Sequence, residues 1–348
     1  MELRVWGCRG SVPTPGPSTV TYGGNTSCVE VVLDDAETAV VLDAGTGIRA
    51  LGVDLVARGT RRIVLFLTHL HLDHLEGLRF FAPLWDPRVT VEIHGPRSPV
   101  VSLRDRILRA FSPPLFPLDV RDVPARLVFN DLPGDPWRAN GLTLSSELVL
   151  HPGPTVGFRL ETAATAVAYL PDHEPALAGI EGRTPDWISA GGLARDADVV
   201  LHDAQYFEDE YDDRIGWGHS SVAHAVRYCE AVGARRLVLF HHEPTHSDRD
   251  LERLEDRARE LNDEIDPLLA REGMTIDLDS TVCEVHGHAK QVAAYGYTHT
   301  LGDHPLLATR ADSGEVLHAR QRSGRANSAR GTARFVEELA ARVRRSGA

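Results

Sequence analysis

Ile63-Val64-Leu65-Phe66-Leu67-Thr68-His69-Leu70-His71-Leu72-Asp73-His74 decides how this chain is read. Five unbroken apolar residues suit a short strand buried on both faces. It runs straight into His-x-His-x-Asp-His. His69 and His71, two apart in extended chain, point to the same side. A turn then brings Asp73 and His74 in from another direction. A lone histidine is ordinarily a hydrogen-bonded structural residue. Three histidines and an aspartate gathered past a buried strand form a metal-binding pattern, and imidazole with carboxylate suits zinc, iron or manganese.

One strand end cannot supply the ligands for a pair of cations, so further ligands are expected from other strand ends. Three fit. His151 follows Leu148-Val149-Leu150, Asp172 follows Ala168-Tyr169-Leu170-Pro171, and His241 follows Leu237-Val238-Leu239-Phe240. His242 competes with His241, since successive strand residues face opposite ways and only one of the two can reach the metals. His94 also ends a strand but reads as a hydrogen-bonded or rim histidine. His173 and His246 are expected at the mouth of the site, not as ligands.

Outward from this centre, short apolar runs recur: Leu3–Cys8, Cys28–Leu33, Ala39–Leu42, Val89–Ile93, Leu142–Leu150, Val156–Leu160, Ala166–Leu170, Val199–Leu201 and Leu237–Phe240. Helical patterns fall at Ile48–Arg58, His74–Pro83, Ser98–Ala110, Ser221–Val232 and Asp248 to about Arg271, with Ser220 and Ser247 placed as N-caps. Many strands without strict βαβ alternation predict sheets covered by helices on their outer faces. Pro and Gly cluster at 12–24, 112–117 and 133–141, where loops are expected.

Bulk properties narrow the partners. The 348 residues carry a net charge of −13, which argues against broad grip on a nucleic-acid backbone. The charge is uneven: residues 280–348 hold 10 Lys+Arg against 6 Asp+Glu, leaving 27 against 44 for the remainder. This basic C-terminal extension is expected to be partly disordered, with one short helix over Ala333–Arg345. No apolar stretch approaches the roughly 20 residues of a membrane helix, and the N-terminus lacks a secretory pattern. Cys8, Cys28, Cys229 and Cys283 form no C-x-x-C pair, so ordinary thiols in a reducing cytoplasm are expected.

The residues resemble the metallo-β-lactamase-fold hydrolases: His69-x-His71-x-Asp73-His74, the preceding Asp43-Ala-Gly-Thr-Gly, then His151, Asp172 and His241 in order, over residues 1–279. The resemblance implies an αββα sandwich, an α/β (α+β) fold with two mixed sheets flanked by helices and the metals at one edge. It implies two divalent ions per chain, zinc foremost, with manganese and iron as alternatives. His69, His71 and His151 would hold one, Asp73, His74 and His241 the other, and Asp172 would bridge. Gly7-Cys8-Arg9-Gly10-Ser11-x-Pro13 and Tyr22-Gly23-Gly24-Asn25-Thr26-Ser27 are similar to the N-terminal loop of the phosphodiesterase branch, which includes transfer-RNA 3′-processing endonucleases and cyclic-nucleotide phosphodiesterases. His202-Asp203-Ala204-Gln205 followed by His219-Ser220-Ser221 resembles the endonucleases' acid and His-Ser-Thr triplet, although their acid is Glu. No long basic Gly/Pro-rich arm for gripping transfer RNA is present.

The resemblance therefore implies a small phosphodiester substrate (cyclic nucleotide, cyclic ribose phosphate or short oligonucleotide) ahead of a large structured RNA, with a homodimer compatible. Catalysis would fall to Asp73 as acceptor for the attacking water, and to His219 oriented by Asp203, with a hydroxide bridging the metals as nucleophile. Ser11, Asn25 and Thr26 would contact substrate. Asp43 is expected behind a metal-bound imidazole. Thioester, lactone or β-lactam hydrolysis is the rival on the same fold, followed by a non-catalytic metal-containing sensor.

Overall fold

A computed structural model describes residues 1–278 apart from positions 34 and 36, and beyond them the strands at 283–284, 294–295, 301–303, 306–309 and 316–320. The chain divides into two compact units, Met1–Leu278 and Asp279–Ala348.

In the first unit the strands are β1 (Glu2–Gly7), β2 (Cys28–Val32), β3 (Thr38–Leu42), β4 (Arg62–Phe66), β5 (Thr90–Pro96), β6 (Arg126–Leu132) and β7 (Trp137–Ala139). They continue as β8 (Leu142–Leu148), β9 (Val156–Glu161), β10 (Ala166–Leu170), β11 (Val199–Asp203), β12 (Arg236–Phe240), β13 (Asp266–Leu269) and β14 (Thr275–Asp277). The helices are α1 (Ile48–Arg58), α2 (Leu103–Ala110), α3 (Gly191–Ala194), α4 (Glu208–Tyr211), α5 (Val222–Val232) and α6 (Asp248–Leu261). Two seven-stranded sheets result, ordered β14-β1-β2-β3-β4-β5-β6 and β13-β12-β11-β10-β9-β8-β7. Both are mixed: β3 to β6 run parallel, as do β10 to β13, while the other neighbours are antiparallel.

Three apolar layers hold the sandwich. Val64 and Phe66 of β4 point between the sheets with Leu42, Phe158, Tyr169, Leu201 and Phe240. Ile63 and Leu65 point outward onto Ile48, Leu51 and Leu55 of α1 and Ile107 of α2. On the far side Val226, Cys229, Leu251 and Leu254 of α5 and α6 cover Leu237 and Leu239. This is the αββα architecture, and it explains why β4 reads as an unbroken apolar run: both faces are covered.

Several local expectations are corrected. The 74–83 region forms three 3₁₀ turns, Leu72–His74, Glu76–Phe80 and Ala82–Trp85, tied to the strand end at Ala44, whose amide donates to the His74 carbonyl at 2.9 Å and whose carbonyl accepts from the Gly77 amide at 3.0 Å; a Cβ at Gly77 would sit 2.0 Å from the Gly45 carbonyl oxygen. α2 begins only after Ser102, whose side chain accepts from the Asp105 amide. α6 stops at Leu261 and the following residues form β13, where Pro267 cannot donate a helical hydrogen bond. Ser247 caps α6 as expected, but Ser221 rather than Ser220 caps α5. The described residues of the second unit form a sheet of Cys283–Glu284, Leu301–Asp303 and Ala294–Tyr295 and a hairpin of Leu306–Thr309 with Val316–Arg320, in a stretch where the sequence shows no strand rhythm. The helical pattern at Ala333–Arg345 lies outside the described residues.

Candidate metal centre

Chain direction explains why the candidate residues meet. β3 and β4 are parallel, so their C-terminal ends deliver Asp43 and the 69–74 segment to one edge of the first sheet. In the second sheet β10, β11 and β12 are parallel and β8, two antiparallel steps away, runs the same way. Their ends therefore present Asp172, Asp203, His241 and His151 on one edge. The amide of Val156 donates to the Thr68 carbonyl at 2.9 Å and ties the two edges together.

The seven side chains expected as ligands form one cluster. His69, His71 and His151 make one group with metal-ligand spacing, and Asp73, His74, Asp172 and His241 a second. Asp172 is central: its carboxylate oxygens lie 2.9 Å from His74 Nε2, 3.4 Å from His241 Nε2, 3.7 Å from His69 Nε2 and 3.8 Å from His151 Nε2. Asp73 Oδ2 is 3.1 Å from His241 Nε2 and 3.3 Å from His74 Nε2.

Outer hydrogen bonds aim the rings. His74 Nδ1 donates to Asp43 Oδ2 at 2.9 Å, His151 Nδ1 to the Gly218 carbonyl at 2.8 Å, and His241 Nδ1 to Gln205 Oε1 at 3.0 Å. With protons outside, the Nε2 lone pairs face inward, where His74 and His241 Nε2 approach to 3.4 Å. His69 Nε2 is buried with no hydrogen-bond partner. Inward lone pairs crowding two carboxylates, with one buried nitrogen orphaned, form a donor set that fits a divalent cation.

The carboxylates also dominate the electrostatics of the rings when no cation competes with protons. Burial opposes the His74 imidazolium, yet Asp172, Asp73 and Asp43 hold its pKa well above the ordinary value. Burial would raise Asp172 and Asp73, but the surrounding imidazoles hold both well below the usual carboxylate range. His69, buried and beside His74, is pushed well below the usual range.

Next to the cluster, Asp203 accepts His219 Nδ1 at 2.7 Å and the amides of Gln205 and Ser220 at 3.1 Å each. Burial opposes protonation of His219, but Asp203 brings its pKa up to about 9. The His219 ring stacks on His241 at 4.8 Å between centroids and lies 5.1 Å from His151.

Backbone geometry resolves His241 from His242. His241 has a φ of 58°, in the left-handed region, so the strand twists at its end. His241 enters the cluster, whereas His242 turns away and donates Nε2–H to the Ala270 carbonyl at 2.8 Å. Ser11 and Asp43 share this backbone form, with φ of 58° and 59°. A Cβ at Gly10 would lie 2.5 Å from His241 Nδ1, so only glycine lets the N-terminal loop cross that ring.

Other expectations change. Ser11 is exposed at the cluster, its amide donating to Asp73 Oδ2 at 2.7 Å. Thr26 is fully buried and exchanges hydrogen bonds with Thr46, while Asn25 donates to Glu272; both serve the loop rather than the site's surface. His173 and His246 do not line the mouth. His173 is fully buried against His202, and His246, 5 % exposed, pairs with Glu210. His94 stacks on Phe66 and stays out of the cluster. The sequence reading missed Gln205 and Glu174. Gln205 stood within a quoted motif, but nothing local tells that its partner is His241.

Sheet order, layers and a metal-binding edge define a metallo-β-lactamase-fold protein. The Beta-lactamase superfamily domain matches residues 38–242, and the chain belongs to that family. The chain is similar to Ribonuclease Z of Kineococcus radiotolerans, 27 % identical over 292 residues, covering 74 % of this chain and 88 % of the relative. Ribonuclease BN of Cronobacter sakazakii is 24 % identical over 262 residues, 62 % and 82 % of the two chains. Human tRNase Z, short form, superposes with a TM-score of 0.55 at 21 % identity, covering 80 % of this chain and all of that one (100 %). Zn(2+)-bound PqqB from Methylobacterium extorquens gives 0.57 at 19 %, covering 80 % and 100 %. Residues 238–347 are also similar to Transposase DDE domain group 1. The chain is a metal-binding hydrolase of the metallo-β-lactamase fold, on the branch that includes the transfer-RNA-processing enzymes. No helix among the described residues is long and apolar enough to cross a membrane.

Proposed function

We propose that the chain is a phosphodiesterase acting on a cyclic nucleotide, cyclic ribose phosphate or short oligonucleotide, with two divalent cations, zinc foremost. The observation that carries this reading is the Asp203–His219 pair, 2.7 Å apart, set against the metal cluster. Other hydrolyses on this fold need the cluster but not this pair. The ribonuclease relatives support the same chemistry, and the net charge of −13 favours a short substrate over a long RNA backbone.

His69, His71 and His151 would hold one cation, and Asp73, His74 and His241 the other, with Asp172 shared. Bound there, the cations would supply Lewis acidity toward water and phosphoryl oxygens. Held by its backbone bond from Ser11, Asp73 orients the attacking water and takes its proton. Asp203 accepts from His219 Nδ1 at 2.7 Å and favours the imidazolium, whose Nε2–H can donate to the phosphoryl or leaving oxygen. Residues 1–279 constitute the hydrolase domain in this reading, with 280–348 as a basic extension.

The test is turnover of bis(p-nitrophenyl) phosphate, 2′,3′- and 3′,5′-cyclic nucleotides and short oligonucleotides by the full chain with each divalent ion. His219→Ala is expected to lower kcat by about 100-fold or more, the scale of a lost general acid. Full activity in that variant, or thioester turnover with no phosphodiester turnover, overturns the proposal.

A further inference from the structure

The loop that carries His219 also carries an exposed tryptophan, and its construction gives that residue a use. Glu174 is fully buried and accepts three hydrogen bonds: from Tyr211 Oη at 2.8 Å, the Gly216 amide at 2.8 Å and the Gly218 amide at 2.6 Å. The Gly218 carbonyl in turn accepts His151 Nδ1–H at 2.8 Å. Gly216 and Gly218 have φ of 87° and 95°, values that side chains rarely adopt. The Gly218 backbone lies so close to the site that a Cβ there would meet Pro152 Cδ at 2.2 Å and His151 Nδ1 at 2.3 Å. Between these two pinned glycines stands Trp217, 61 % exposed, with no ring contact among the described residues.

A single exposed apolar side chain is ordinary on a protein surface. This one differs in two ways. Its backbone is fastened on both sides by one buried carboxylate, so the loop does not have to be ordered when a ligand arrives. Its neighbours reach the reactive centre directly, Gly218 through His151 and His219 through its stack on His241. The apolar side chains next to other cluster residues, Leu72 and Val12, are also exposed, at 60 % and 50 %.

We propose that Trp217 is the platform on which the heterocyclic base of a nucleotide substrate stacks while its phosphate lies against His219. This rests on the phosphodiesterase reading and adds what the substrate must carry: a planar base beside the scissile phosphate. Stacking on an indole tolerates any base, because every base offers a π face.

The experiment compares binding of adenosine 5′-monophosphate and ribose 5-phosphate to the metal-loaded full chain by calorimetry. Both ligands present the same phosphate, and only one has a base. The wild type is expected to prefer the nucleotide by about tenfold, equivalent to about 1.4 kcal/mol. In Trp217→Ala the preference falls to within twofold, and in Trp217→Phe most of it survives. Retained ribose 5-phosphate binding shows that the site is still folded. A wild type without preference, or an undiminished preference in Trp217→Ala, overturns the platform. Hydrolysis of bis(p-nitrophenyl) phosphate by the wild type is measured alongside, so that loss of the phosphodiesterase reading is recognised separately.

Discussion

Asp43→Asn is the sharpest perturbation of the cluster that leaves its seven side chains in place. The Asp43 carboxylate is fully buried and accepts from the Thr68 amide at 2.8 Å, Thr68 Oγ1 at 2.9 Å, His74 Nδ1 at 2.9 Å and Tyr169 Oη at 3.0 Å. Asparagine has nearly the same size and tolerates the left-handed backbone at this position, so the turn survives. It offers only one acceptor oxygen. If that oxygen keeps the Thr68 bonds, its amide group faces Tyr169 and His74. The Tyr169 hydroxyl can rotate and accept, but His74 Nδ1–H has nowhere to donate. The ring then favours the other tautomer and places a proton on Nε2, the nitrogen that faces Asp172 and His241. Losing such an outer partner typically weakens metal binding 10- to 100-fold, about 1.4 to 2.8 kcal/mol. Competition against a chromophoric chelator measures this on the intact chain, with melting in excess chelator as the control for folding. Metal binding as tight as in the wild type would refute the idea that Asp43 sets the His74 tautomer.

Three further outcomes are expected. Glu174→Gln leaves at least one of three donors unpaired, at about 1–3 kcal/mol, and hydrogen exchange across 211–219 should quicken while distant amides keep their rates. Gly10→Ala drives a methyl group into the His241 ring and should lower metal content at limiting zinc, with purified protein analysed by mass spectrometry. Burial holds His202 down to about 4 and His242 down to about 3. Their unfolded forms titrate near 6.5, so the stability they contribute is full above that pH and is lost as pH falls toward 4. His219, raised to about 9 by Asp203 against burial, contributes stability below pH 6.5 that is lost as pH rises through 9. Urea midpoints of the chelated protein should therefore peak near pH 6.5, and His202→Gln should flatten the acid limb.

The parts legible in sequence were those whose cause is local. β4 announces itself as five apolar residues, and the 69–74 segment follows without a gap. His151, Asp172 and His241 were readable because each ends an apolar strand. The short outer strands β7, β13 and β14 were not, since a strand with one neighbour needs no strong pattern. β6, half-buried and carrying Asn130 and Asp131 before its final Leu132, was hidden by its mixed composition. Glu174 and Gln205 escaped for another reason: their partners lie 36 to 44 residues away, and a buried acid looks like an exposed one in sequence. The misplacement of His173 has the same origin. It follows Asp172, but it turns into the packed layer beneath α5 and meets His202 and Tyr228.

Ser11, Asp43 and His241 adopt a backbone form that costs a side-chain-bearing residue of order 1 kcal/mol or more. Glycine would relax each position, yet it would strip away the imidazole, the carboxylate or the hydroxyl. A campaign for thermal tolerance, judged by melting alone, would be drawn toward these positions and would erase chemistry as it gained degrees. Homologues from hot environments that still keep Asp and His here would show that selection has defended the tension instead of releasing it.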